Sequence, residues 1–152
     1  MDPLPRALCW GVLEEMTMHA TLPGSALIEV IARAIGSESE LPVAEHLMSR
    51  ALQVLRFFAD PKWAEMEGWR LFSDALLTIA QQPSFGVDQQ LIAFTTFCQC
   101  KLNEDQTRLL WDIWAAQSLE PANINDLQLD TDLRWTVPVS YTHLTLPTTP
   151  YV

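Results

Sequence analysis

"SESELPVAEHLMSRALQVLRFFADP", Ser37–Pro61, is the stretch on which the fold turns. Val43, Leu47, Ala51, Leu52, Leu55 and Phe58 recur three and four residues apart, which is the spacing of one helix face. Ser39 stands where an N-cap is expected. Asp60–Pro61 closes the segment, because proline drives the residue before it out of the helical region. The spacing predicts a helix over about 41–59.

The same pattern extends in both directions. Toward the N-terminus, "SALIEVIARAIG" (Ser25–Gly36) carries Leu27, Ile28, Val30, Ile31 and Ile35, with Ser25 as a plausible N-cap and Gly36 as a stop. Before it, "PRALCWGVLEEMTMHA" (Pro5–Ala20) opens on a proline suited to a first helical turn. Leu8, Val12, Leu13 and Met16 predict one apolar face there. Toward the C-terminus, "EGWRLFSDALLTIAQQ" reads as a helix bounded by Gly68, or just before it, and by Pro83. "GVDQQLIAFTTFCQCK" and "NEDQTRLLWDIWAAQ" follow, the latter with Asn103 and Asp105 placed to cap. The chain thus reads as all-α, with about six helices in pairs and a truncated seventh. Paired helices with short loops suggest antiparallel hairpins in a HEAT- or armadillo-like superhelical array. Periodicity alone is equally compatible with a plain helical bundle.

Bulk properties narrow the function classes. The net charge is -10, which argues against nucleic acid and against an anionic membrane surface, since both select clustered Lys and Arg. No apolar run reaches the roughly 18 residues that span a bilayer. The N-terminus lacks the basic and apolar regions of a signal peptide. Three cysteines without framework spacing suggest a reducing, cytoplasmic setting.

Candidate chemistry is sparse. His19 follows Glu15 by four residues and could share its helix face, and His46 follows Glu45. Neither belongs to an H-E-x-x-H arrangement, so a surface role outweighs a metal role. Cys98 and Cys100, two apart on a helix, do not face each other and read as small buried hydrophobes. Phosphate loops and nucleophile elbows are absent from the sequence. Six tryptophans suit a core, with a minority available to line a peptide-contacting surface.

Three stretches in order resemble the C-terminal helical region of aminopeptidase N of the actinobacterial type. They are "LPRALCWGVLEEMT" (Leu4–Thr17), "ADPKWAEMEGWRLFSDAL" (Ala59–Leu76) and "LQLDTDLRWTV" (Leu127–Val137). They match family elements close to L-P-R-A-L-x-W, A-D-P-x-W…G-W-x-x-L-x-D-A and V-D-T-D-L-R-W. Met18, His19 and Thr21 depart from the family's more polar pattern. The resemblance implies a parent zinc metallopeptidase that removes N-terminal residues from peptides. It implies that residues 1–137 are a non-catalytic superhelical domain covering the catalytic chamber. The family's H-E-x-x-H and G-x-M-E-N motifs are not in this sequence. Zinc is therefore expected in the parent's upstream catalytic domain and not on this fragment. That domain and peptide substrate are the expected partners. Asp130, Asp132 and Arg134 are the candidate substrate contacts, with Asp130 or Thr131 capping the next helix and Arg134 able to grip a peptide carboxylate. The competing role for Arg134 is an ion pair with a nearby Asp that holds two helices together. A free-standing helical-repeat scaffold for protein partners is the alternative function.

The last residues stand apart. From Val139, "VSYTHLTLPTTPYV" has no Asp, Glu, Lys or Arg and resembles a translated sequencing adaptor rather than the family. Residues 138–152 are therefore expected to be a non-native tail, disordered or irregular, so neither its Thr/apolar alternation nor His143 is weighed.

Overall fold

The computed structural model describes residues 2–145, which contain helices and no strand. Seven helices follow one another: α1 (Pro3–Met18), α2 (Gly24–Ala34), α3 (Leu41–Gln53), α4 (61–81), α5 (Val87–Gln99), α6 (Glu104–Ala116) and α7 (Thr131–Thr145). Short 3-10 turns at Ile35–Ser37, Pro83–Phe85 and Glu120–Ala122 tighten the connections.

The expected long helix over 41–59 forms, with a change of winding at its end. α3 passes into a π-turn at Val54–Phe58, closed by the Ala59 N–H donating to Val54 O at 2.8 Å. The extra residue per turn ends the helix directly at Asp60–Pro61. Asp60 then caps α4, its Oδ1 accepting from the Trp63 N–H at 2.9 Å, and Pro61 takes the first helical position, where no N–H is missed. α4 runs through Pro61–Trp63, a second π-turn at Ala64–Gly68, and Trp69–Gln81. Gly68 is therefore inside a helix rather than at its boundary. A Cβ there would lie 2.7 Å from both Leu55 Cδ2 and Trp63 Cζ3, so the absent side chain lets α3 approach α4.

Two expected caps are corrected. α3 begins after Glu40 without a side-chain cap, and the Ser39 hydroxyl instead accepts from Arg6 Nη2 at 3.3 Å. α2 begins at Gly24 after Pro23, one residue before Ser25. Gly24 is buried, with the Ala59 backbone close against it. Asn103 caps α6 as expected: its side chain accepts from the Gln106 N–H while the Gln106 side chain accepts from the Asn103 N–H. Gln106 Nε2 also donates to Ser73 Oγ at 2.8 Å, tying the start of α6 to α4.

Packing joins sequence neighbours and also alternate helices. α4 lies along α5, α6 along α7, and α2 touches α3; α2 also meets α4, α3 meets α5, and α5 meets α7. The core is made by Leu27, Ile28 and Ile31 of α2, Leu47 and Met48 of α3, Phe72 and Leu76 of α4, Phe94 and Phe97 of α5, and Leu110 and Ile113 of α6, all fully buried. Burying such side chains contributes about 1.5–3 kcal/mol each relative to exposure.

α1 departs from expectation. Among its described side chains Trp10, Glu14 and Thr17 are buried, while Leu8, Val12 and Met16, expected on the core face, are exposed. Only Leu13 of the expected set packs inward. Periodicity located an apolar face correctly but not the direction in which it points.

The C-terminal stretch also differs. Residues 138–145, expected to be irregular, continue α7 through Pro138 to Thr145. Leu133 and Val137 are buried and hold the helix to the body, and Pro138 withdraws one hydrogen bond, that to the Arg134 carbonyl. The remainder of the proposed tail, 146–152, and the side chain of His143 lie outside the described residues.

Candidate functional site

The expected substrate contacts gather at the first turn of α7. Asp130 is the N-cap: its Oδ1 accepts from the Leu133 N–H at 2.9 Å, and its carbonyl accepts from the Arg134 N–H at 2.9 Å. Asp132 adds a negative charge in the first turn, where the helix dipole favours it. Leu133 points into the core, so Arg134 and Trp135, the next two residues, project outward and are exposed. Among the described residues Arg134 makes no ion pair. The Asp130 carboxylate, one turn earlier and the nearest candidate partner in sequence, is engaged by the backbone as a cap. The site is thus an exposed guanidinium beside an exposed indole, with two carboxylates at the helix start.

A second polar cluster links α1 to α3. Glu14, buried on the inner face of α1, accepts from His46 Nε2 at 3.0 Å and from Arg50 Nε at 3.0 Å. The sequence reading placed His46 beside Glu45 and missed this triad. A carboxylate one turn after Trp10, on the same face, was the available signal. His19 pairs with Glu15 at 3.2 Å, as their spacing predicts.

Among the described residues no three His, Cys, Asp or Glu side chains converge. Glu14 and Glu15 each meet one histidine, and Glu14 already has the Arg50 cation beside it. Cys98 and Cys100 are buried and not disulfide-bonded. Cys100 Sγ donates to the Thr96 carbonyl at 3.4 Å. Burial pushes the Cys100 thiol far above its ordinary pKa, Cys98 adds to the rise and Arg56 opposes it.

The tryptophans divide between core and surface. Trp10 and Trp69 are buried and Trp63 is half-buried. Trp111 and Trp114 are exposed on α6 as a pair, with ring centroids 5.3 Å apart and planes tilted by 34°. No helix among the described residues is long and apolar enough to cross a membrane.

Comparison with known proteins adds one finding. The chain is similar to one segment of Aminopeptidase N from Streptomyces lividans. It is 28% identical to that protein over 134 residues, covering 88% of this chain and 15% of the relative. The chain therefore spans about 15% of the length of the curated relative it matches. No protein-family model matches it.

Proposed function

We propose that this chain is a non-catalytic helical domain of a zinc aminopeptidase, an enzyme that removes N-terminal residues from peptides. The observation that carries this reading is similarity to Aminopeptidase N running through 88% of the chain, on an all-α fold. Contacts between neighbouring and alternate helices support hairpins stacked in a HEAT-like array. In this reading the domain packs on an upstream catalytic domain that holds the zinc, covers its chamber and shapes substrate access. Arg134 and Trp135 then face the peptide: a guanidinium binds a carboxylate through two parallel hydrogen bonds, and an indole supplies rigid apolar area. Asp130 and Asp132 set the helix start that holds them. The exposed Trp111–Trp114 pair favours a second reading, a helical-repeat scaffold that binds proteins through its aromatic surface.

The purified chain tests the first reading. It should bind no stoichiometric zinc and release no N-terminal residue from aminoacyl-anilide or peptide substrates. Hydrolysis that a chelator removes and added zinc restores would place the catalytic machinery here and overturn the assignment.

A further inference from the structure

α1 is held to the body along one narrow stripe, Arg6, Trp10, Leu13, Glu14 and Thr17. Toward its N-terminal end Arg6 Nη2 donates to Glu38 Oε1 at 3.0 Å and to Ser39 Oγ at 3.3 Å. Toward its C-terminal end Glu14 accepts from His46 Nε2 and from Arg50 Nε, each at 3.0 Å. The Glu38 and Glu14 side chains are only 2% and 10% exposed, so both carboxylates are buried where they are paired. Trp10 lies between the two clasps, four residues from each. It is the single buried apolar residue among the described side chains of α1. α4 and α5, by contrast, bury Phe72, Leu76, Phe94 and Phe97 completely. Leu4, Leu8 and Val12 on the other side of α1 are exposed, so the stripe carries the attachment.

The two clasps have opposite polarity. α1 supplies the cation at one and the anion at the other, about 12 Å apart along its axis. Docked end for end, α1 would set Arg6 against Arg50 and Glu14 against the buried Glu38. Like charges placed together oppose that arrangement. The clasps therefore fix orientation and register. They hold less firmly than their number suggests, because on opening Arg6, Glu38, Glu14 and Arg50 regain water, which offsets much of the lost attraction. The cost not recovered is chiefly the exposure of Trp10 and Leu13. We propose that α1 is a reclosable strap. It undocks from α2 and α3 as a unit while α2 to α6 stay folded, and the paired charges return it to one register. A segment held by few apolar contacts opens at lower free energy than the core it covers. Undocking uncovers the sides of α2 and α3 beneath α1, with the Glu38 carboxylate and the Arg50 guanidinium, so α1 controls access to that surface. The strap does not depend on the aminopeptidase reading.

Native-state hydrogen exchange on the 152-residue chain tests this. Amides of α1 should exchange roughly tenfold or more faster than those of α4 and α5, through an opening less sensitive to urea because it exposes less surface. Arg6→Gln leaves Glu38 buried without its cation in the docked form. It should speed α1 exchange about tenfold further while α4 and α5 keep their rates. Glu14→Gln should act in the same way from the other end. Thiol labelling separates undocking from fraying of the first turn. Cys9→Ser removes the exposed native thiol, Cys98 and Cys100 are buried, and Thr17→Cys then reports from the inner face of α1. Arg6→Gln should raise the labelling rate at position 17 by the same factor as the exchange rate. Amides of α1 as protected as those of α4 and α5, with the same urea dependence, would overturn the proposal. So would α1 amides with no protection at all, or an Arg6→Gln effect shared by every helix or absent at position 17.

Discussion

Arg134 and Asp130 sit one turn apart on α7, and their backbone roles separate their functions. Asp130 spends its side chain on the Leu133 N–H, which leaves Arg134 without a carboxylate partner among the described residues. In the aminopeptidase of the proposed function, Arg134→Ala should raise KM for longer peptides several-fold with little change in kcat, as expected when binding common to ground and transition states is lost. An unchanged KM together with a lower melting temperature would give Arg134 a packing role instead. The cysteines make a second expectation at this scale. A thiol reagent should titrate only Cys9 in the folded chain and all three cysteines in denaturant. Because burial raises the Cys100 pKa, the folded state keeps that proton while the unfolded chain releases it near the ordinary 9.0. Stability should therefore fall as pH rises past that value, and urea midpoints across the alkaline range would show it. A second fast-reacting thiol in the folded chain would contradict the burial of Cys98 and Cys100.

Among the elements, two helical glycines are expected to respond in opposite senses. Gly68→Ala pushes a methyl into Leu55 and Trp63 and should cost about 1–3 kcal/mol through overpacking. Gly11→Ala points into open space and should stabilise the chain by about 0.5–1 kcal/mol, the helical preference of Ala over Gly. Urea melts of the two variants check both signs. The same pair shows what could be read in advance. Helix number and order were legible, because apolar spacing over 41–59 and the turn residues Asp60–Pro61 and Asn103 act locally. Gly68 lies inside a helix rather than at a boundary because Leu55, thirteen positions earlier, and the Trp63 ring crowd it, and the approach of Leu55 has no local signal. The π-turns at Val54–Phe58 and Ala64–Gly68 left no mark in the spacing for the same reason. α1 was misread because two apolar stripes compete on one helix, and only tertiary contact decides which is buried. Asp130 was legible as a cap. The Glu14–His46–Arg50 cluster was not, since it joins residues more than thirty positions apart.

For the whole molecule, neighbouring and alternate helices share one continuous core, and two surfaces remain notable: the outer face of α1, and the aromatic and guanidinium groups of α6 and α7. Both suit a domain that works against another body, as the proposed function requires. The DNA upstream of Met1 tests this most directly. The account predicts an uninterrupted reading frame that reaches an H-E-x-x-H motif with a downstream Glu. An intergenic gap with a ribosome-binding site directly before Met1 would contradict it and leave a free-standing helical scaffold.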